Sequence, residues 1–235
     1  KRSIFRAIFA SSLGGALEMY DFVIYIFFAP IMAKLFFNQA SHFVSLIATF
    51  GVFAAGYLVR PIGGVLFGIY GDRYGRKAGL IVSMSLMGVA TVLMGCLPTA
   101  HTIGAWAPIL LIMLRLLQGV AVGGDFPGAM IFVAESSMPR RRGLNCSWTF
   151  VGINFGTLLA SGFVALLTHL LSESGMIGYG WRIGFFSSLA ILVLGFYFRR
   201  KLDETELFLA LKNENMLAKN PLHALLSKVS NYKQL

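Results

Sequence analysis

Residues 43–77 read FVSLIATFGVFAAGYLVRPIGGVLFGIYGDRYGRK, a long apolar run followed at once by a short charged segment. The run from Phe43 to Tyr70 contains a single charged side chain, Arg60. A helix needs about 20 apolar residues to cross a hydrocarbon core of about 30 Å. The run is long enough, and it lacks the alternation of a membrane β-strand. It therefore predicts a membrane-spanning helix, which satisfies its own backbone hydrogen bonds.

Five similar apolar runs lie on either side of this stretch. They are Ile8 to Leu35, Ala78 to Leu97, Ala107 to Ala134, Leu144 to Leu171 and Ile183 to Phe198. Hydrophobic residues make up 57% of the 235-residue chain and charged residues only 13%, whereas soluble domains are about half apolar and about a quarter charged. The sequence therefore predicts an all-α membrane protein, with residues 1–201 forming a bundle of six transmembrane helices.

The net charge of +10 is explained by topology rather than by a nucleic-acid partner. The basic residues cluster beside alternate ends of the predicted spans: Lys1, Arg2, Arg6; Arg73, Arg76, Lys77; Arg140, Arg141, Arg142; Arg199, Arg200, Lys201. The intervening connections, residues 36–42, 98–102 and 172–180, contain no Lys or Arg. Because cytoplasmic loops are enriched in Lys and Arg, we expect the N-terminus and residue 235 to be cytoplasmic.

Residues 202–235 mix acids, amides and leucines and contain no run of membrane-spanning length. Their apolar residues fall at helical spacing: Leu207, Phe208, Leu211, Leu222, Leu225 and Leu226. This pattern predicts a cytoplasmic amphipathic linker. We find no nucleophile-base-orienter set, phosphate loop or metal-ligand cluster in the sequence, so we expect no enzyme activity, no cofactor and no metal.

Small residues inside the spans predict close helix packing. Glycines recur at four-residue steps in the pairs Gly64 and Gly68, Gly119 and Gly123, and Gly124 and Gly128. Such steps let helix backbones approach closely in lipid. Pro61 and Pro127 remove backbone hydrogen bonds and predict bends in their helices.

Charged residues inside the spans indicate a functional site, because each costs at least about 2.5 kcal/mol near the bilayer centre. Glu18 and Asp21 are three residues apart and share one helix face. Two carboxylates close together in poorly solvated surroundings favour protonation of one of them. We therefore predict that Glu18 and Asp21 are proton-coupling residues.

Two basic residues within the spans are candidates for substrate binding. The guanidinium groups of Arg60 and Arg115 suit a carboxylate ligand through bidentate hydrogen bonds. Gln118 and Asn154 add neutral hydrogen-bonding groups to this predicted substrate site. The sequence leaves open an alternative in which either arginine pairs with Glu18 or Asp21 as a structural contact.

The charged segment Gly71-Asp72-Arg73-Tyr74-Gly75-Arg76-Lys77 closely resembles the loop signature G-D-R-x-G-R-K of the major facilitator superfamily. Arg115-Leu-Leu-Gln118-Gly119 resembles that superfamily's fourth-helix signature. Glu135 followed by Pro139 and Arg142-Gly143 resembles its loop between the fourth and fifth helices. The chain is thus identified as a member of this superfamily, and from Ser11 to about Thr205 the resemblance is nearly continuous.

Within the superfamily, the chain looks like the metabolite:proton symporter group. The matching segments are Glu18-Met-Tyr-Asp21-Phe22, Arg60-Pro61-Ile-Gly63-Gly64, Gly123-Gly124-Asp125 and Gly180-Trp181-Arg182-Ile183. Members of this group carry betaine, proline, shikimate, 2-oxoglutarate or citrate into bacteria. Two positions depart from the pattern: the group usually has glutamate where Asp125 stands and proline where Gly184 stands.

The resemblance implies a gating network on the cytoplasmic side, which comprises Gly71, Asp72, Arg73, Gly75, Arg76, Lys77, Asp125, Glu135 and Arg142. It implies that Asp72 and Arg76 belong to a cytoplasmic charge network with Asp125, while Glu135 pairs near Arg142. Ion pairs that form in one state and break in another bias a two-state equilibrium. A static topology anchor is the alternative, and it explains Arg73 and Lys77 but not an acid in the same segment.

The superfamily has about twelve spans in two halves, so we expect this chain to be an amino-terminal half whose partner is a missing carboxy-terminal six-helix half. The expected function is proton-coupled import of a small polar metabolite across a bacterial inner membrane, with the substrate, the proton and membrane lipid as the other partners. A proton-independent facilitator or exporter of the same fold, or a non-transporting membrane scaffold, remains as an alternative.

Overall fold

The computed structural model describes residues 2–37 and 41–214, and these residues are almost entirely helical. The α-helices in chain order are α1 (Arg2–Phe36), α2 (His42–Leu58), α3 (Arg60–Tyr74), α4 (Arg76–Cys96), α5 (Ala100–Ile103), α6 (Trp106–Glu135), α7 (Arg142–Leu170), α8 (Glu173–Gly175), α9 (Trp181–Arg200) and α10 (Glu206–Asn213). A 3₁₀ turn at Pro139–Arg141 precedes α7, and a π-helical turn at Met176–Gly180 precedes α9.

Within residues 2–37 and 41–214, six helical segments are long and apolar enough to cross a membrane. This confirms the predicted all-α class and the predicted number of spans. They are Ile4–Phe36, Phe43–Tyr74, Arg76–Cys96, Trp106–Glu135, Pro139–Leu170 and Glu173–Arg200. The helices extend beyond the apolar runs, because polar residues can complete a helix outside the hydrocarbon. Thus Arg6 lies within α1 rather than before it, and the predicted connection at residues 71–77 is helical except at Gly75.

The second span contains a break next to its proline. Val59 separates α2 from α3, and Pro61 lies in the first turn of α3. Proline is tolerated in a first turn because the backbone N–H that it lacks would have no intrahelical partner there. Pro127, by contrast, lies inside the continuous helix α6. Of the two predicted bends, the structure thus places a helix break only beside Pro61.

Helix α6 occupies the centre of the arrangement. It contacts α1, α2, α3, α4 and α7, while α1 packs mainly against α7 and α9. A buried aromatic and aliphatic core joins α1 to α9 near the ends opposite the arginine-rich tail of α9, and it includes Phe28, Phe36, Trp181 and Phe185.

Glycines bring pairs of helices into backbone contact. A Cβ added to Gly119 would overlap the carbonyl group of Gly56, and one added to Gly123 would overlap that of Arg60. This confirms the close approach predicted from the Gly119 and Gly123 step. Gly152 and Gly156 of α7 meet α1 in the same way, a contact that the sequence reasoning did not identify.

The chain after α9 folds back against the end of the bundle at which α9 carries Arg199 and Arg200, which we call the inner end. Leu202 is buried, and α10 begins at a cap in which the Thr205 hydroxyl accepts a hydrogen bond from the backbone N–H of Phe208. The remainder of the predicted linker, residues 215–235 with Leu222, Leu225 and Leu226, lies outside the described residues. The proposed division of the chain at residue 201 stays a prediction.

Candidate functional site

The two intramembrane carboxylates lie on α1 and are both only 3% exposed. Glu18 faces Arg60 of α3, with 3.4 Å between Oε1 and Nη1. The Arg60 side chain keeps 23% of its surface exposed, whereas Glu18 is almost fully enclosed. Arg60 is therefore the member of this pair that solvent or a ligand can reach. The sequence left open that Arg60 pairs with Glu18 as a structural contact, and the structure contains this pair.

Asp21 is linked to Arg115 through two neutral side chains. Arg115 Nη1 donates to Gln118 Oε1 over 2.8 Å, and Gln118 Nε2 donates to Thr91 Oγ1 over 2.5 Å. The Thr91 hydroxyl in turn donates to Asp21 Oδ2 over 2.5 Å. Helices α1, α4 and α6 thus contribute one continuous hydrogen-bonded chain. We call Glu18, Asp21, Arg60, Thr91, Arg115 and Gln118 the central cluster.

Aromatic rings surround both guanidinium groups of the central cluster. Arg115 lies 3.5 Å from the ring centre of Tyr25, and Arg60 lies 4.0 Å from that of Tyr57 and 4.5 Å from that of Phe22. Cation–π attraction stabilises a positive charge over a ring face, the more so when the charge is desolvated. The rings therefore offset part of the cost of burying two cations, and Tyr57 stays partly exposed beside Arg60.

Several polar atoms of the central cluster are buried without a hydrogen-bond partner among the described residues. They are Glu18 Oε2, Asp21 Oδ1, and the Nε and Nη2 atoms of Arg60 and of Arg115. Buried polar atoms are nearly always satisfied, so such a group is itself informative. Two guanidinium groups with spare donors lie beside two carboxylates with spare acceptors, which suits a ligand that carries both an anionic and a cationic group.

Asn154 does not join the other predicted substrate residues. It lies on an exposed face of α7, where its amide donates to the backbone carbonyl of Phe150 over 2.8 Å. The structure therefore brings together Arg60, Arg115 and Gln118, and leaves Asn154 apart from them.

A second charged pair lies closer to the arginine-rich end of α9 than the central cluster does. Asp125 of α6 accepts two hydrogen bonds from Arg199 of α9, at 2.5 and 2.9 Å. Ser83 of α4 donates to the same carboxylate over 2.7 Å, and Arg199 also donates to the carbonyl of Leu80. Both charged residues are 0% exposed, and a Cβ on Gly14 of α1 would overlap the guanidinium. We call Asp125 and Arg199 the inner pair.

The inner pair corrects the arrangement that the family resemblance implied. Asp125 was expected to belong to one charge network with Asp72 and Arg76, but its carboxylate pairs with Arg199. Arg199 was assigned only to a basic cluster that marks topology. It instead lies within the last turn of α9, fully enclosed by neighbouring helices.

A third group of charges lies at the inner ends of α3, α4 and α6. Arg76 pairs with Asp72 at 2.5 Å and with Glu135 at 3.3 Å. The Thr205 hydroxyl donates to Glu135 over 2.7 Å, and Glu204 accepts from the backbone N–H of Lys77 at 3.2 Å. We call Asp72, Arg76, Glu135, Glu204 and Thr205 the rim network.

The rim network differs from the expected pairing of Glu135 with Arg142. Glu135 pairs with Arg76, whereas Arg142 is exposed at the first residue of α7. Of the other predicted gating residues, Arg73 is exposed with its guanidinium 5.6 Å from the ring centre of Tyr74. The segment 202–206 thus supplies contacts to the network, through Glu204 and Thr205, that sequence reasoning missed.

The two glycines of the charged segment have separate structural roles. Gly75 is the single residue between α3 and α4, and its φ of 115° lies in a region that L side chains rarely adopt. Gly71 is buried against Gly79 of α4, with 3.5 Å between its Cα and an ideal Cβ on Gly79. The positive φ of Gly75 therefore permits the abrupt reversal between α3 and α4, whereas a Cβ added to Gly71 would lie no closer than 3.8 Å to its neighbours.

Across the described part of the chain, no group of three His, Cys, Asp or Glu side chains is placed to hold a metal ion. A cavity of about 640 Å³ opens at the inner end of the bundle, lined by residues that include Arg6, Phe132, Arg141 and Leu202. The central cluster does not line this cavity.

Comparisons with known proteins agree with this architecture. A profile of the family described as "Sugar (and other) transporter" matches residues 7–234. The chain is 42% identical over 203 residues to the proline/betaine transporter of Escherichia coli (strain K12), a match that covers 86% of this chain and 41% of that protein. It is 40% identical over 217 residues to a putative proline/betaine transporter of Staphylococcus aureus (strain COL), covering 92% of this chain and 46% of that protein.

A solved structure of the major facilitator superfamily proton:xylose symporter XylE, bound to 6-bromo-6-deoxy-D-glucose, has the same fold over this region. The TM-score is 0.82 at 21% identity, and the superposition covers 90% of this chain and 47% of that one. The chain therefore spans about half the length of the proteins that it matches. Its helices correspond to the amino-terminal half of the fold, and the matching family and the named relatives are described as transporters. The chain is a multi-pass membrane protein that belongs to the sugar (and other) transporter family of the major facilitator superfamily.

Proposed function

We propose that this chain forms the amino-terminal half of a proton-coupled importer of a small zwitterionic metabolite, one that carries a carboxylate and a cationic nitrogen. The observation that carries the proposal is the central cluster, where two guanidinium groups and two carboxylates keep unpartnered atoms in a buried, aromatic setting. The printed names of two relatives, which are proline/betaine transporters, support this substrate class.

The contact between Glu18 and Arg60 supplies a physical link between proton and substrate. While Glu18 is ionised, its carboxylate occupies Arg60 Nη1 at 3.4 Å. A proton on Glu18 removes the negative charge that would repel a substrate carboxylate and compete with it for Arg60, so bidentate hydrogen bonds from Arg60 to the substrate become more favourable. Proton and substrate then favour each other's binding, because both stabilise the state in which the pair is broken.

The cationic end of the substrate has two types of partner in the cluster. Asp21 retains a buried oxygen, Oδ1, without a hydrogen-bond partner among the described residues. Tyr57 is partly exposed, and because Arg60 lies over one face of its ring at 4.0 Å, the opposite face is the one that can attract a quaternary ammonium group. A substrate whose carboxylate binds Arg60 would thus find a counter-charge and an aromatic face nearby.

Alternating access would require a second six-helix half against which this bundle moves, and we include that half as the principal partner. The rim network and its glycine turn are proposed to hold the inner side closed in one state. We also propose a bacterial inner-membrane location with the N-terminus and residue 235 cytoplasmic, which the distribution of basic residues supports.

The test is uptake of radiolabelled proline, glycine betaine, 2-oxoglutarate, citrate and shikimate by proteoliposomes that contain the whole protein, with and without an inward proton gradient. We expect gradient-stimulated accumulation of a zwitterion. Glu18→Gln should abolish accumulation while exchange of labelled for unlabelled substrate persists, because the amide cannot gain and release a proton. Glu173→Gln is the matched control, since Glu173 is 85% exposed and far from the cluster in the fold.

Other outcomes would reject the proposal in distinct ways. Equilibration of substrate that no proton gradient stimulates would identify a facilitator or exporter. Accumulation of a dicarboxylate but no zwitterion would reject the substrate class. Failure of every compound to bind or cross, together with normal stability of Glu18→Gln, would favour a non-transporting scaffold.

A further inference from the structure

Thr91 is a buried residue of α4 that lies between Asp21 and Gln118 in the central cluster. It is 0% exposed. Its hydroxyl oxygen lies 2.5 Å from Asp21 Oδ2, 2.5 Å from Gln118 Nε2 and 3.0 Å from the carbonyl oxygen of Met87 one turn earlier. The hydroxyls of Thr49, Thr157 and Thr168 bond only to backbone carbonyls of their own helices, so the two additional side-chain partners set Thr91 apart.

The direction of the hydrogen bonds follows from the chemistry of Arg115. A guanidinium group only donates, so the Gln118 atom that faces it must be the carbonyl oxygen. The amide nitrogen of Gln118 therefore faces Thr91 and donates to its hydroxyl oxygen. Thr91 has one hydroxyl proton left, and two acceptors compete for it: Asp21 Oδ2 and the carbonyl of Met87.

The two acceptors correspond to the two protonation states of Asp21. An ionised Asp21 only accepts hydrogen bonds, and it attracts the Thr91 proton more strongly than a neutral carbonyl does. A protonated Asp21 can donate its own proton to Thr91 Oγ1, and the threonine proton then turns to Met87. The hydroxyl thus has a satisfied position in either state, and its rotation changes the charge environment of Gln118.

We propose that Thr91 is a positioning residue that relays the protonation state of Asp21, through the Gln118 amide, to the guanidinium of Arg115. This inference rests on the proposed function and states how one of its proton-coupling carboxylates communicates with an arginine of the substrate site. Arg115 would hold a substrate carboxylate differently in the two states, because its partner Gln118 is polarised differently.

Other charged and polar groups also surround Asp21. Glu18 lies on the same face of α1 and pairs with Arg60 of α3. The positive charge of Arg115 on α6 acts on Asp21 directly, and Ser188 of α9 lies beside Asp21. The relay through Thr91 adds to this direct interaction, which Thr91→Val leaves in place. Among the described residues, Thr91 is the side chain that hydrogen-bonds both Asp21 and Gln118.

The test compares Thr91→Val, which keeps the shape but removes the hydroxyl, with Thr91→Ser, which keeps the hydroxyl. Thr157→Val is the matched control, because the Thr157 hydroxyl bonds only to Ile153 of its own helix at 3.2 Å. The whole protein is reconstituted into proteoliposomes, and proton-driven uptake, exchange and their pH profiles are measured. Size-exclusion chromatography establishes that each variant is folded.

We expect Thr91→Val to lower proton-driven uptake by about tenfold or more, the scale of one lost hydrogen bond to a charged group, and to alter its pH profile. Exchange should fall much less, and Thr91→Ser should behave as the unmodified protein does. Equal proton-driven uptake and equal pH profiles in Thr91→Val and Thr157→Val would overturn the inference. A defect in Thr91→Ser as large as in Thr91→Val would also overturn it, since the hydroxyl would not be the cause.

A second readout separates this inference from the proposed function. Infrared difference spectroscopy follows the carboxyl carbonyl band as pH is changed, and Asp21→Asn identifies the Asp21 contribution. We expect that band to appear over a different pH range in Thr91→Val but not in Thr91→Ser. Lack of gradient-stimulated uptake in the unmodified protein would reject the proposed function, whereas an unchanged Asp21 band in Thr91→Val would reject the relay.

Discussion

Removal of the Asp125 carboxylate should destabilise the bundle more than removal of any charge at its rim. In Asp125→Ala, Arg199 loses hydrogen bonds of 2.5 and 2.9 Å and retains a full charge at a site with 0% exposure. Breaking a buried pair by removing one partner costs about 3–5 kcal/mol, because the remaining charge is uncompensated. Ser83 loses the carboxylate as an acceptor and retains the carbonyl of Leu80.

The matched control is Asp72→Ala. Asp72 and Arg76 form an ion pair at 2.5 Å, but their side chains are 39% and 22% exposed. Water screens such a pair, whose contribution is at most about 1 kcal/mol. The double variant Asp125→Ala with Arg199→Met removes both buried charges together and should recover most of the stability lost in Asp125→Ala, since a buried pair can often be replaced by apolar residues at little cost.

The assay is thermal unfolding of the whole purified protein in detergent, followed by the fraction that remains monodisperse on size-exclusion chromatography. We expect the apparent melting temperature to fall most in Asp125→Ala, and to be higher in the double variant than in either single variant. A melting temperature of Asp125→Ala no lower than that of Asp72→Ala would refute the reasoning. Additive losses in the double variant would refute it equally, because they would mean that the two residues do not depend on each other.

Two further predictions concern glycines and use the same assay. Gly75→Ala should lower the free energy of unfolding by about 1–3 kcal/mol, the usual cost of a non-glycine residue in such a backbone conformation, because φ is 115° there and the added Cβ would overlap Glu204. Gly104→Ala should lower it less, since the positive φ of 59° at Gly104 is combined with open space around the Cβ. Equal losses of stability in the two variants would contradict the role of Glu204. Gly156→Ala should destabilise the contact of α7 with α1, because the Cβ would overlap the carbonyl of Ala16, whereas Gly162→Ala on the same helix should be neutral or slightly stabilising, since nothing lies within 4 Å of its Cβ and alanine is the better helix former. Similar melting temperatures for Gly156→Ala and Gly162→Ala would show that the two backbones can separate freely.

Hydropathy predicted the six spans because bilayer thickness imposes a length on any apolar helix. It could not predict where each helix ends, because helical hydrogen bonding continues into polar residues beyond the hydrocarbon. The segment from Gly71 to Lys77 illustrates this limit. Its charges indicated a loop, yet only Gly75 interrupts the helices, since a single glycine with positive φ suffices to reverse the chain.

The central cluster was largely predictable because charges in an apolar span are rare and costly. Glu18, Asp21, Arg60 and Arg115 each carry that signal, and Gln118 lies one turn from Arg115. Thr91 carries no comparable signal, since a lone threonine in a helix usually bonds to its own backbone. Its role depends on which helix packs against α4, which is a tertiary property.

The rotation of each helix about its own axis explains the remaining differences between the sequence predictions and the structure. Arg199, Arg200 and Lys201 are adjacent in sequence, and only the rotation of α9 decides that Arg199 faces Asp125 while its neighbours are exposed. Asn154 is a polar residue in a span, as Gln118 is, but the rotation of α7 turns it outward. The phase of a helix with apolar residues on all sides is set by its neighbours and cannot be read from its own pattern.

Helix α6 contributes one charged residue to each group: Arg115 to the central cluster, Asp125 to the inner pair and Glu135 to the rim network. These residues are roughly 15 Å apart along the axis, at about 1.5 Å per residue. The inner pair is the costliest to break, at about 3–5 kcal/mol, and it joins α6 to α9 with α4 and α1 alongside. The partly exposed pairs at the rim cost at most about 1 kcal/mol each. If the bundle changes conformation as the proposed function requires, the ion pairs of the rim network are therefore the contacts that can break and re-form at low cost. The inner pair stays intact and keeps the four helices together as one body.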